Sequence, residues 1–345
     1  MTQLEPIMTA PVLDLTPSDL DTIVDELRAF QAIFSALFRR REQRAWSQDY
    51  LHGLLLEIPR KSIEAMVLHL HGADRNAVRA MQQFLSEGAW DDRAIVQRLW
   101  HQLAADLADD DGVLVLDGSD FPKQGHESVG VARQYCGQLG KTANCQAGVF
   151  LAYASAHGYA LLDRRLYLPE AWFTDDYAER RMACGVPDDL TFASKSELGW
   201  TMLEAVAQSG RMPCRWVACD QGFGKNPHLL DQIASLGLWY FAEVPHDTRV
   251  WRERPATMLP SWSGRGPKPK RERLAPEAAA PEQLQAIAAA LPAHQWQRHI
   301  IQEGSQGPQL AEFAFLRVLA VRDSLPGPQV WLILRRSLSD AELKT

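Results

Sequence analysis

The sequence predicts an α/β protein in three parts: an all-helical segment over 1–110, an α/β layer with a mixed sheet over 111–245, and a β-rich segment over 246–345. Three observations lead there. Apolar residues recur at threes and fours up to about residue 110 and gather into short β-branched runs beyond it. At 345 residues the chain exceeds the ~250 at which one core stops growing, so two or three structural units are expected. Hydrophobic residues are 46% and charged residues 23%, the balance of a folded globular chain, which excludes a disordered or fibrous one.

The first helix is announced by Thr16, Pro17 and Asp19: a capping hydroxyl, a proline where a missing N–H costs nothing, and an acid at the positive helix end. Leu20, Ile23, Val24, Leu27, Phe30, Phe34, Leu37 and Phe38 follow at helical spacing and predict one buried stripe that runs into RRREQR. Further helical patterns occupy about 46–56, 61–70, 75–87 and 91–108.

GVLVLD (112–117), ended by Gly118 and Ser119, reads as a buried strand. VGVARQYCG, AGVFLAYAS and YALLDRRLYLP continue as extended segments, with a hairpin turn at Gly158. A helix over 196–210, a strand over 215–220, a helix over 227–237 and a strand over 239–245 complete the layer. Beyond it, WQRHII, AEFAFLRVLAV and QVWLILRR read as strands, and Ser339, Asp340 and Glu342 as the start of a helix. Trp216, Trp239, Trp251 and Trp262 are expected to pack in the core, and His69 and His71 to face solvent or a partner.

Lys plus Arg is 36 against 43 for Asp plus Glu, a formal net charge of −7, so no basic field covers the whole protein and nucleic-acid contact must use local patches. The five cysteines include no CxxC pair, which points to reduced thiols and a cytoplasmic protein rather than a disulfide framework or zinc ribbon. The amino terminus has acids where a signal peptide needs cations, and no apolar run is long enough for a membrane span. No Walker-type or dinucleotide glycine loop and no H-E-x-x-H occurs, so ATP, NAD and zinc-protease chemistry are not expected.

Asp117 ends the strand GVLVLD and Asp220 ends RWVACD, each before a glycine-containing loop. On α/β sheets this edge binds ligands. If the two strands are neighbours, the carboxylates converge, and a divalent cation would relieve their repulsion. Such oxygen donors suit Mg²⁺ or Mn²⁺, and the chemistry implied is metal-assisted attack on a phosphodiester. Strand-ending aspartates also serve as turn formers and helix caps, and spacing alone does not separate the roles. Asp120 reads as a loop acid capping FPKQG.

VLVLDGSDFPKQG, SVGVARQYCGQLGKTANCQAGVFLAYAS, LLDRRLYLPEAW, WVACDQGFG and WYFAEVPHDTRVW together resemble the DDE transposases of bacterial insertion sequences, in the branch with an RNase H-like catalytic domain. The resemblance extends from RRREQRAWSQDYLHGLL through WSGRGPKPKRERL to VWLILRRSLSD. It implies an RNase H-like mixed sheet carrying a β-rich insertion, with Asp117 and Asp220 holding Mg²⁺ or Mn²⁺ for DNA hydrolysis and strand transfer. It also implies a third ligand, a Glu on a helix after the insertion. No such helix follows VWLILRRSLSD here, so the expectation is a truncated, catalytically incomplete transposase. Glu243, Glu303 and Glu312 are the available substitutes.

Two basic clusters are candidate phosphate contacts. One is Arg39, Arg40 and Arg41 with Arg44; the other is Arg265, Lys268, Lys270, Arg271 and Arg273 in a Gly- and Pro-rich stretch. The first could instead complement the carboxyl end of a helix dipole. Lys123 and Arg133, with Gln134 and Lys141, lie near the two acids in sequence and could hold phosphates. The expected partners are element-end and target DNA and a second copy of the chain. The competing functions are a non-catalytic DNA-binding remnant that inhibits the full-length enzyme, and a metal-dependent hydrolase of small phosphoesters.

Overall fold

The computed structural model describes residues 16–262, 264, 266–304, 307–338 and 343–345. They fall within two compact units, Met1–Leu103 and Ala104–Thr345.

The first unit is helical: α1 (Pro17–Ala32), α2 (Arg41–Leu55), α3 (Ile63–His71), α4 (Arg75–Ser86) and most of α5 (Asp92–Leu107). Thr16 and Asp19 form a reciprocal capping box at the start of α1, the Thr16 hydroxyl donating to the carboxylate at 2.7 Å and accepting from the Asp19 N–H at 3.3 Å. The apolar stripe expected to be buried along this helix is not. Ile23, Val24 and Phe30 are 50%, 40% and 39% exposed, and α1 ends at Ala32, so Phe34 and Phe38 belong to the turn beyond it. Periodicity establishes an amphipathic face but not a partner for it. The core lies further on, where Phe38, Val67, Ala77, Met81 and Phe84 cluster.

The second unit begins with β1 (Val113–Pro122), β2 (Ala132–Cys136), β3 (Lys141–Ser155) and β4 (Gly158–Tyr167). Then come α6 (Ala178–Ala183), α7 (Lys195–Ser209), β5 (Trp216–Cys219), α8 (Gln221–Gly224), α9 (Pro227–Ser235) and β6 (Trp239–Ala242). These strands form one mixed sheet in the order β2-β3-β1-β5-β6, with β4 also on β3. The strands β1, β3 and β4 pair antiparallel in turn, whereas β5 and β6 run parallel to β1. Gly112 fixes the start of β1: its carbonyl accepts from the Arg215 N–H ahead of β5, and a Cβ there would lie 2.1 Å from the Tyr153 hydroxyl. That hydroxyl in turn donates to the Pro213 carbonyl at 2.7 Å.

A second sheet follows. Its strands are β7 (Arg249–Trp251), β10 (Glu282–Gln283), β11 (Gln297–Gly304), β12 (Gly307–Arg322), β13 (Leu325–Ser337) and β14 (Leu343–Lys344), ordered β10-β7-β12-β13-β14 with β11 on β12. A small ribbon of β8 (Thr257–Met258) and β9 (Arg273–Leu274) precedes it. One face packs Ala314, Val318, Leu332 and Leu334 against Leu284 and Ile287 of α10 (Leu284–Ala290). The expected helix start at Ser339, Asp340 and Glu342 lies outside the described residues. Leu343 and Lys344 are extended and pair with Arg336 and Arg335, satisfying an otherwise open strand edge. The tryptophans also depart from expectation. Trp251 is buried, but Trp239 is exposed beneath the Arg215 guanidinium, and Trp262 is exposed beneath Lys268. A cation over the ring face stabilises an aromatic that water also reaches.

Candidate active site

The last paired position of β1 on β5 is Leu116 opposite Cys219, and that of β5 on β6 is Cys219 opposite Ala242. Leu116 and Cys219 are buried. The next residue on each strand therefore turns the other way, and Asp117 and Asp220 are both exposed. Each of the two lies one residue beyond the last paired position of β1 on β5. Glu243 follows Ala242 at the same level, its N–H donating to the Cys219 carbonyl at 3.0 Å.

Asp117 does not end its strand. β1 runs on through Pro122, paired with β3 up to Cys145; what ends at Leu116 is the pairing with β5. The backbone groups of GSDFP are taken up by β3, so turn-like composition yields to a tertiary ladder. One Asp117 oxygen accepts from the Gly118 N–H at 2.7 Å. Asp220 is the N-cap of α8, accepting from the Phe223 N–H at 3.3 Å. Gly224 lets α8 close on the strand end, since a Cβ there would lie 2.0 Å from the Glu243 carbonyl oxygen. Neither aspartate has an ion-pair partner among the described residues. The field of this edge registers at Cys219, whose thiol is pushed up to about 12 by burial, then by Asp220 and Glu243.

Two hard carboxylate donors, each with an oxygen left over, fit Mg²⁺ or Mn²⁺, which keep several waters and take one or two protein carboxylates. No group of three or more His, Cys, Asp or Glu side chains among the described residues is arranged to hold a metal. Of the substitutes for a third ligand, Glu243 shares the edge. Glu312 is clasped by Arg298 at 3.2 Å and Arg336 at 2.7 Å on the second sheet, and these guanidiniums hold its carboxyl below the usual range. The Glu303 side chain lies outside the described residues. Asp120 is a strand residue rather than a loop cap. It accepts from the Gly137 N–H at 2.7 Å and faces Lys195 at 3.7 Å, a lysine that sequence reasoning passed over.

The cations scatter. Lys123 lies six positions along the chain from Asp117, a reach of roughly 20 Å in extended backbone. Arg133 is exposed on β2 opposite Asn144, and Gln134 donates to the Cys145 carbonyl. Lys141 opens β3. Lys268, Lys270, Arg271 and Arg273 are exposed, and Arg265 lies outside the described residues. Arg39, Arg40 and Arg41 stand at the amino end of α2 and not at the carboxyl end of α1, so complementing a helix dipole does not explain them. Arg41 and Arg44 instead line a cleft of about 290 Å³ with Arg28, Gln31, Phe38 and Gln48. Arg28 lies thirteen residues before Arg41, where only the fold joins them.

Among the described residues no helix is long and apolar enough to cross a membrane. No curated protein matches the chain. A family model described as a DDE superfamily endonuclease matches residues 33–308, well over half of the sequence. The chain belongs to the DDE superfamily of endonucleases.

Proposed function

We propose that this chain is a DNA transposase of an insertion sequence, built on an RNase H-like sheet, with Asp117 and Asp220 as its metal-binding acids. The observation that carries the proposal is the pair of exposed carboxylates, without ion-pair partners among the described residues, each one residue beyond the last paired position of the parallel neighbours β1 and β5. The RNase H-like reading draws support from a sheet whose β1, β3 and β4 are antiparallel and whose β5 and β6 return parallel to β1. Mg²⁺ or Mn²⁺, when bound there, would lower the pKa of an attacking water or 3′-hydroxyl and offset charge on the leaving oxygen. The protein's own part is positional. The Gly118 N–H orients Asp117, and the cap geometry of α8 orients Asp220. The exposed edge leaves room for a phosphodiester.

Glu243 is the further carboxylate that shares the edge of the pair, its N–H bonded to the Cys219 carbonyl. Phosphate contacts fall to Arg41 and Arg44 with Arg28 in the first unit and to Lys268, Lys270 and Arg271 in the second. The bare face of α1 suits contact with a second copy of the chain on DNA.

Binding to element-end duplex, measured against random duplex over a salt series, tests this reading. The expected result is preference for element ends and affinity that falls steeply with salt. Hydrolysis of small phosphoesters without DNA binding would overturn it.

A further inference from the structure

The face of the second sheet opposite its core is neither apolar nor ordinary solvent surface. Register places Phe313 opposite Arg335, Phe315 opposite Ile333 and Arg317 opposite Trp331, so these six side chains share one face, while Ala314, Leu316 and Val318 turn to the core. Trp331 is 61% exposed and Phe315 46%. The Arg317 guanidinium lies 5.0 Å from the centre of the Trp331 ring. Phe313 and Phe315 lie nearly parallel with centroids 6.4 Å apart, and His299 of β11 meets both edge-on at 5.7 and 6.3 Å.

Leaving such rings in water forgoes about 25 cal/mol per Å² of burial, so a ligand that covers them gains that energy. Charge identifies the ligand. In a chain of formal net charge −7, these six positions include two arginines and no carboxylate. The nearest acid in β12, Glu312, precedes Phe313, turns to the other face with Ala314 and Leu316, and is held by Arg298 and Arg336. Aromatic platforms interleaved with cations suit an anionic strand with free π faces, and in a duplex those faces are stacked against each other.

We propose that Phe313, Phe315, Arg317, Trp331, Ile333 and Arg335 form a surface for unpaired DNA, with bases stacking on the rings and guanidiniums holding the phosphates. The site deepens the DNA-processing role proposed above and rests on it. Its geometry fits the frayed or displaced single strand that exists while an element end is opened.

The test is fluorescence anisotropy of a labelled oligothymidylate and of a labelled duplex on the whole chain, with sedimentation and melting of each variant alongside. Trp331→Ala and Phe315→Ala should each weaken oligothymidylate binding about tenfold, within the range of one lost stacking contact. Trp331→Phe should restore most of it, and duplex affinity should change less than about twofold. Duplex binding with oligothymidylate affinity unmoved by the substitutions would overturn this surface and leave the transposase reading standing. Absence of binding to either probe would overturn both. Conversion of a dimer to a monomer by Trp331→Ala, with oligothymidylate binding intact, would make the face a protein interface and overturn the proposal.

Discussion

Asp117 and Asp220 on the first sheet and Glu312 on the second show two ways a protein treats a carboxylate. Glu312 has two arginine partners and a lowered pKa; the two aspartates, each just beyond the paired segments of neighbouring strands, have a backbone N–H apiece and no ion-pair partner among the described residues. Glu312 is satisfied internally and serves the fold. In the reading proposed above, the aspartates would leave like charges uncompensated until a cation binds.

The sharpest way to break this contrast is to remove a carboxylate from each side. Asp220→Asn, which keeps a good N-cap, should weaken Mn²⁺ binding by at least tenfold, the lower bound even for outer-sphere changes. It should leave the metal-free melting temperature unchanged or raise it. Glu312→Gln should do the reverse, lowering the melting temperature while sparing Mn²⁺ affinity. Equal effects of the two changes on melting would erase the distinction.

Next in size is Gly112→Ala. It forces a Cβ onto the Tyr153 hydroxyl where β1 and β5 begin and should destabilise by about 1–3 kcal/mol or more, read by denaturant unfolding. Gly224→Ala pushes α8 off the Glu243 backbone and should cost roughly tenfold in Mn²⁺ affinity without removing a ligand. Unchanged affinity would mean that α8 does not position Asp220.

Acidification tests the other side of the comparison. The Glu312 carboxyl is lowered in the fold, so its contribution is present above its ordinary value near 4.5 and is lost as pH falls through the depressed one. Melting below pH 5 should therefore be less pH-dependent in Glu312→Gln than in the natural chain. The smallest effect concerns thiols. Cys136, Cys145 and Cys219 are buried, and Cys145 and Cys219 are pushed up to about 11 and about 12. Burial also pushes the Cys214 thiol up, so a thiol reagent at neutral pH should reach Cys184 first in the native chain, Cys214 more slowly, and the others only after unfolding.

Much of this was legible in the sequence, for identifiable reasons. GVLVLD and RWVACD are short, apolar and β-branched, so both strands and the acids that follow their paired segments could be read directly. The neighbouring of β1 and β5 was only conditional, because strand order is a tertiary fact. The extension of β1 through Pro122 was hidden by residues that elsewhere make turns, and was decided by β3 alongside. The helical spacing of Ile23, Val24 and Phe30 was real, but what covers those residues is not written in their spacing. RRREQR carries no Ser, Thr, Asp or Asn to mark the start of α2, so the sequence leaves open whether Arg39–Arg41 close one helix or begin the next. The alignment of Phe315, Arg317, Trp331 and Ile333 on one face needed register, which alternation within one strand does not reveal.

Titration of Mn²⁺ followed by electron paramagnetic resonance, on the natural chain and on Asp117→Asn and Asp220→Asn, tests the central claim most directly. The account predicts saturable binding that either substitution weakens by at least tenfold with the fold intact. Binding indifferent to both substitutions would contradict it.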